Sequence, residues 1–329
     1  MPPTNPFTER GRITDPAHFA GRWSELGMIF ERIEAGRPVL ISGVPGVGKS
    51  TLLTHITQSA AVNLEIPELR AYYLDMAAAE SAAQIYETLA RSVGQRGDTL
   101  AALELGLVAV DAPVLVCLDN ADAALAAGWG EGLLESLARV VRGGHFALVV
   151  AIGGAPPQLS ERYAQLRLGA LAPTEVRLLI ETYLDGTDVV FTPQELRAVA
   201  ELSGGHPAYV QRAAYHLFAS KLDPSLDWQL FYRLEARERP IPGAPLPAAV
   251  FAGAASSLPQ SSYGEGAPAG GPAAPQLRPL PELPPLLLFL AGPLAGLLAY
   301  GAGAGWALAV VIGLAAFVGA AALMRARRS

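Results

Sequence analysis

The sequence contains little cysteine and little lysine. Its 329 residues include a single cysteine, Cys117, so no disulfide bond can form within the chain, and a reducing compartment fits. The spacing of the histidines shows no metal-ligand pattern, and with one cysteine we expect no zinc site. Only Lys49 and Lys221 among the 24 basic residues are lysines. In a chain that uses arginine almost everywhere else, a lysine within a motif indicates that its compact ammonium group is needed there.

An excess of positive charge and an apolar N-terminal run are also absent. The net charge of −6 gives no electrostatic reason to expect nucleic acid as a partner. The opening residues, MPPTNPFTERGRITDP, contain no apolar core of the kind found in secretory signals. We therefore do not expect a cleaved signal peptide.

Apolar strands alternate with helices in the first half of the chain, which predicts an α/β fold with a parallel sheet. The strand over 113–119 is apolar on both faces, as a central parallel strand should be. From about residue 172 the strand signal ends and only helices are predicted, which indicates a small helical lid. The strands are predicted over 37–43, 69–76, 113–119 and 146–152, and the helices over 49–60, 81–93, 133–142, 174–184, 193–202 and 207–222.

A glycine-rich motif joins the first predicted strand to the first predicted helix. Its glycines let backbone N–H groups wrap a phosphate, and this motif predicts a P-loop NTPase. Lys49 is expected to reach the β- and γ-phosphates, the Ser50 hydroxyl to ligate Mg²⁺, and Thr51 to lie on the α-phosphate side. The motif is matched in full by Gly43, Val44, Pro45, Gly46, Val47, Gly48, Lys49 and Ser50.

The third predicted strand ends at Asp119, about 70 residues after the motif. We expect its carboxylate to orient the Mg²⁺ shell; the alternative is an aspartate that only caps a turn. The next residue, Asn120, cannot act as a base. Asp122 is the candidate base in its place, and the alternative is that Asp122 caps a helix. Without a base, hydrolysis would be slow and the protein would act as a nucleotide-gated switch.

The chain ends in a long uncharged stretch that follows a segment rich in Pro, Gly, Ala and Ser. The 38 residues of 286–323 contain no charge and suit two short membrane spans, with a glycine-rich break at 301–305 between them. Arginines follow at 325, 327 and 328, which predicts that this end is cytoplasmic. The alternative is a helical hairpin buried in a soluble domain.

Several short segments together resemble the STAND-type and archaeal-type AAA+-related ATPases, including the origin-recognition-like group. The resemblance covers roughly residues 5–222. The phosphate loop is common to many families. Two features are more specific: a short N-terminal motif around Phe19-Ala20-Gly21-Arg22, called the N-terminal box below, and a G-x-P motif at Gly205-His206-Pro207. The segments are Asn5-Pro6-Phe7, Phe19-Ala20-Gly21-Arg22 with Glu25-Leu26, Tyr73-Leu74-Asp75, the strand before Asp119, and Gly204-Gly205-His206-Pro207.

The resemblance implies that Phe19, Gly21 and Arg22 line the adenine pocket, and that Gly205 and Pro207 bring the lid onto the nucleotide. The alternatives are a solvated helix arginine at position 22 and a simple helix start at Pro207. The chain departs from the family where 151–154 (AIGG) offers no polar residue at the sensor position, and where no winged-helix module or repeat array follows the lid.

The expected protein is a membrane-anchored, STAND-like ATPase that binds ATP and Mg²⁺, hydrolyses ATP to ADP and phosphate slowly, and switches by oligomerising. The main alternative is a motor or loader ATPase that remodels a partner and uses the hairpin as an anchor only. A transporter subunit is disfavoured, since no LSGGQ signature precedes Asp119.

These expectations divide the chain into five parts. They are a nucleotide-binding core over 1–156, a helical lid over 157–239, a disordered linker over 240–283, a two-helix transmembrane hairpin over 284–325, and a basic tail over 326–329. With two spans, the ATPase domain and both termini are expected in the cytoplasm.

Overall fold

A five-stranded parallel sheet forms the centre of the first part of the chain. The computed structural model describes residues 4–8, 11–142, 144–154 and 161–251. The strand order is β2-β3-β4-β1-β5, so the central strand β4 pairs with β1, which is distant from it in sequence. The strands are β1 (Val39–Gly43), β2 (Arg70–Asp75), β3 (Val114–Asp119), β4 (Phe146–Gly153) and β5 (Ala164–Arg167).

Helices cover both faces of this sheet. One face packs against α3, α4, α5 and α6, and the other packs against α1 and α2. Every residue of β1 and β3 is buried, as expected for strands covered on both faces. The helices are α1 (Trp23–Glu34), α2 (Lys49–Asn63), α3 (Ala82–Ser92), α4 (Leu100–Ala109), α5 (Ala121–Ala126) and α6 (Gly130–Val140).

The predicted α/β fold with a parallel sheet is confirmed, and each strand and helix predicted between residues 37 and 222 is present within a few residues of its expected bounds. Five elements were not predicted: α1, α4, α5, β5 and a last helix over Trp228–Glu238. The short strand β5 has an alternating half-exposed pattern, and only its pairing with β1 makes it a strand.

Four helices form the helical lid, with a hydrophobic core of their own. Proline occupies the first turn of α7, α8 and α9, where its missing N–H costs nothing. Thr192 and Glu195 form a capping box that fixes the start of α8. The helices are α7 (Pro173–Leu184), α8 (Pro193–Ser203), α9 (Pro207–Leu222) and α10 (Trp228–Glu238).

Two expected boundaries are wrong. The lid does not begin at residue 157, because β5 at Ala164–Arg167 belongs to the sheet. The linker does not begin at residue 240, because 240–251 packs on the lid. Val250 in this segment is fully buried, and its carbonyl accepts a hydrogen bond from Arg237 Nη2 at 2.6 Å. Proline and glycine suggested a linker there, but tertiary contacts fix the segment.

The rest of the expected linker (252–283), the hairpin over 284–325 and the tail over 326–329 lie outside the described residues. Within the described residues, the helices are too short or too polar to cross a membrane.

Candidate functional site

The loop after β1 has the backbone that phosphate binding requires. Gly46 and Gly48 have φ values of 75° and 99°, which other residues rarely adopt. A Cβ on Gly43 would lie 2.9 Å from Val47 Cγ1, so the loop also needs glycine there for space. Gly48 caps α2 without a side-chain hydrogen bond, which leaves the first N–H groups of the helix for a ligand.

Lys49 lies folded over the loop that precedes it. Its Nζ donates to the carbonyls of Gly43 at 2.7 Å and Val44 at 3.2 Å. Burial lowers the pKa of Lys49, while the nearby carboxylates of Asp119 and Asp122 act in the opposite direction. A phosphate would replace the two carbonyls as the partner of this ammonium group.

Asp119 ends β3 and is only 1% exposed. Its Oδ2 accepts a hydrogen bond from the Tyr73 hydroxyl at 2.6 Å, and its Oδ1 accepts one from the Asn120 N–H at 2.9 Å. Burial and the adjacent carboxylate raise the pKa of Tyr73, so its hydroxyl keeps its proton and remains a donor. The carboxylate of Asp119 is therefore held in one orientation.

Asn120 and Asp122 are also held by neighbouring strands. Asn120 has a left-handed φ of 54°, and its Nδ2 donates to Asp75 Oδ1 at 2.8 Å. Asp122 Oδ1 accepts from the Gly153 N–H at 2.9 Å, at the end of β4. This bond joins α5 to the sheet, whereas the alternative of the sequence analysis was a helix cap.

A cleft of about 460 Å³ lies between the phosphate loop and the lid. Its walls come from the N-terminal segment, the loop and α2, the ends of β3 and β4, the lid, and the segment after α10. The lining residues are Gly11, Arg12, Ile13, Pro45, Gly46, Gly48, Lys49, Ser50, Thr51, Asn120, Asp122, Gly153, Leu179, Pro207, Ala208, Gln211, Arg212, Ile241 and Pro242.

The lid touches the phosphate loop directly. His206 Nε2 lies 3.0 Å from the Pro45 carbonyl oxygen, and burial lowers the pKa of His206. A Cβ on Gly46 would meet the His206 ring at 2.9 Å. Pro207 follows in the wall of the cleft, while Gly205 packs against the Leu171 carbonyl, where a Cβ would come within 2.3 Å.

The N-terminal box packs against α2 and α7. Phe19, Gly21 and Arg22 are not among the residues that line the cleft. Phe19 stacks on His55 with ring centroids 3.8 Å apart. The prediction that this box contacts the adenine remains a prediction.

Arg22 is 6% exposed, so the alternative of a solvated arginine is wrong. Its guanidinium donates to Glu25, to the Val47 carbonyl at 3.2 Å and to the Gly169 carbonyl at 2.6 Å. Its backbone N–H donates to Glu175 Oε1 at 2.8 Å. Arg22 therefore connects α1 with the phosphate loop and with the start of the lid.

Sequence reasoning missed the segment just before that box. Gly11, Arg12 and Ile13 line the cleft, and the Ile13 N–H donates to Thr51 Oγ1 at 3.2 Å. The Arg12 guanidinium lies 4.3 Å above the Tyr73 ring. No spacing in the sequence signals these contacts, because they depend on how the chain crosses the sheet.

The glycine-rich loop joins the first strand of a parallel sheet to a helix and faces a helical lid. This is the arrangement of a P-loop NTPase. Residues 33–162 match the family model described as an AAA domain. The match and the fold together support an AAA+-type P-loop ATPase. No curated protein sequence matches the chain.

Several solved structures resemble part of this chain. The Aeropyrum pernix ORC1 protein in complex with DNA is 17% identical, with a TM-score of 0.47 over 71% of this chain and 64% of that one. The FIGL-1 AAA domain in complex with ADP is 18% identical, with a TM-score of 0.46 over 75% and 91%. The Walker-type ATPase of Pyrococcus abyssi is 14% identical, with a TM-score of 0.49 over 70% and 79%.

The chain spans less than two thirds of the length of the first of these proteins. Similarity at this level does not extend to substrates or partners.

Proposed function

We propose that this protein binds ATP with Mg²⁺ in the cleft, hydrolyses it slowly and acts as a nucleotide-dependent switch of the STAND type. The observation that carries the proposal is that the phosphate loop and the lid line one cleft and touch through His206 and Pro45. A nucleotide in the cleft would contact both parts, so its binding free energy would favour one arrangement of lid and sheet.

The residues of the cleft suit the phosphates of a nucleotide and a magnesium ion. Mg²⁺ takes oxygen ligands and is usually held by one or two protein oxygens, phosphates and water. Ser50 supplies a hydroxyl in the wall of the cleft, and Asp119 supplies a buried, oriented carboxylate. Bound there, the ion would neutralise phosphate charge. Within the described residues no group of three or more His, Cys, Asp or Glu could hold a metal ion.

Slow hydrolysis follows from the residues beside Asp119. Asn120 has an amide and cannot take a proton from water. Asp122 has the carboxylate a base needs and lines the cleft, but it already accepts the hydrogen bond of Gly153. We therefore expect turnover below about 1 per second, at the low end of enzyme rates. The variant Asp122→Asn should lower it further.

A motor or loader ATPase is the second candidate, and the match to an AAA domain model agrees with it equally well. A motor hydrolyses ATP continuously, whereas a switch keeps ATP bound and hydrolyses it slowly. Turnover well above 1 per second that rises when a partner protein is added would favour the motor. Turnover that is unaffected by Asp122→Asn would remove Asp122 from the mechanism.

The test of nucleotide binding uses the two lysines of the chain. Lys49→Ala removes the ammonium group that meets the phosphates, and we expect the affinity of the full chain for ATP with Mg²⁺ to fall at least tenfold in calorimetry. Lys221→Ala is the matched control, because Lys221 pairs with Glu195 in the lid at 2.7 Å, away from the cleft. Equal affinities of the two variants would refute the phosphate-binding assignment.

A further inference from the structure

Gln211, on the second turn of α9, has a buried side-chain amide without a partner. The residue is 5% exposed and lines the cleft. Within the part of the chain that the structure describes, neither Nε2 nor Oε1 has a hydrogen-bond partner. Buried polar groups are nearly always paired, because leaving a donor and an acceptor unsatisfied costs free energy. An amide in this state indicates a partner that the described residues do not supply.

The cleft that Gln211 lines contains both polar and apolar groups. Lys49, Ser50 and the loop backbone are the groups to which phosphates are proposed to bind. The lid and the N-terminal segment contribute the apolar side chains of Ile13, Leu179 and Pro207, together with Arg12 and Arg212. Apolar side chains beside a buried, unpaired amide suit the ring and the polar edge of a nucleobase, while the arginines suit phosphate oxygens.

We propose that the Gln211 amide reads the edge of the nucleobase and that the base is adenine. Oε1 would accept from the adenine N6 amino group, and Nε2 would donate to the neighbouring ring nitrogen. Adenine offers a donor beside an acceptor on both of its edges, which is what an amide matches. Guanine offers two acceptors on its N7 edge, which an amide cannot satisfy together, so an amide that contacts this edge selects adenine.

This inference rests on the proposed nucleotide binding and adds the residue that selects the base. In the free protein the unpaired amide lowers the free energy of unfolding. A base that pairs with the amide removes this penalty, and a base that cannot pair with it does not, so the first base binds more tightly. A base without the N6 amino group would leave Oε1 unpaired and would bind more weakly.

The experiment measures the affinity of the full chain for ATP and for purine riboside triphosphate, which lacks the N6 amino group. The wild-type chain should bind ATP about tenfold more tightly than the analogue, since one bidentate amide–adenine pair discriminates by about this factor or more. In Gln211→Leu the affinity for ATP should fall about tenfold and the preference for ATP should disappear. Gln194→Leu is the matched control, an exposed glutamine on α8.

Thermal unfolding without nucleotide separates this role from a structural one. Leucine leaves no unpaired amide in the cleft wall, so the Gln211→Leu chain should be at least as stable as wild type. Gln211→Met, which keeps the length of the side chain, repeats the test should the leucine variant not fold.

The outcomes distinguish the two proposals. A wild-type chain that binds ATP and the analogue equally, or a Gln211→Leu chain that keeps the tenfold preference, overturns the inference and leaves nucleotide binding intact. A wild-type chain that binds neither compound overturns the proposed function, and the inference falls with it.

Discussion

At the scale of single residues, the carboxylate of Asp119 depends on partners far away in sequence. Tyr73 on β2 and Asp119 on β3 are 46 residues apart, yet their side chains lie 2.6 Å apart because the two strands pair in parallel register. A buried carboxylate needs such donors, since an unpaired charge is costly in the interior. The tyrosine therefore positions the group that is proposed to orient Mg²⁺.

The variant Tyr73→Phe tests this positioning. It removes one hydrogen bond to a charged group, and we expect the free energy of unfolding to fall by about 1.5–3 kcal/mol. We also expect half-maximal ATP hydrolysis to require several times more Mg²⁺, because Asp119 is less well oriented. The measurements are denaturant unfolding and a magnesium titration of the hydrolysis rate.

Tyr72→Phe is the control for that experiment. Tyr72 lies next to Tyr73 on the same strand, and its hydroxyl donates to the Ser92 carbonyl at 2.9 Å, outside the cleft. This variant should lose about 1 kcal/mol of stability and keep the magnesium dependence of wild type. The same shift of magnesium dependence in both variants would show that Tyr73 has no special role.

At the scale of elements, the N-terminal segment connects the lid with the nucleotide cleft. Phe7 is fully buried in the lid core, where it stacks on Tyr183 and Phe191 at centroid distances of 5.4 and 6.0 Å. A few residues later, Ile13 bonds to Thr51 on α2. A segment fixed at both ends limits how far the lid can move from the phosphate loop.

Phe7→Ala should therefore affect both stability and binding. Truncating a buried phenylalanine costs about 3–5 kcal/mol, which denaturant unfolding would measure. We expect weaker ATP binding as well, because the segment would no longer hold Ile13 in the cleft wall. Phe231→Ala on α10, where the ring is exposed, is the control and should change neither quantity. Normal stability of the Phe7→Ala chain would contradict the packing described above.

At the scale of the whole molecule, the composition of the chain changes along its length. The chain changes from a mixed composition to an uncharged stretch of 38 residues over 286–323. At 1.5 Å per residue one helix of this length would far exceed a hydrocarbon core of about 30 Å, whereas two shorter helices would match it. We propose a transmembrane hairpin over 284–325 that anchors the switch, with both termini in the cytoplasm.

Fractionation tests this anchor. The full chain should sediment with membranes and resist washing with high salt and carbonate, while a chain that ends at residue 283 should be released. Reporters fused at residue 1 and after residue 329 should both be cytosolic. Reporters on opposite sides would indicate a single span, and a full chain that stays in solution without detergent would refute the anchor.

The sequence by itself predicted the phosphate loop, the four longest strands of the sheet and three of the four lid helices. Local sequence patterns predict these features. The patterns are the spacing of glycine and lysine between residues 43 and 50, runs of apolar residues, and prolines at helix starts. Each pattern lies within one turn or one element, so its physical cause is present in neighbouring residues.

Only the tertiary structure decided which side chains share the cleft. The bond of Arg22 to Glu175 spans 153 residues and the contact of His206 with Pro45 spans 161, so no local pattern contains them. The same holds for Gln211, whose sequence context is that of any helix residue. Its buried, unpaired amide exists only because α9 packs beside the phosphate loop, and burial of a polar group is a property of the folded chain.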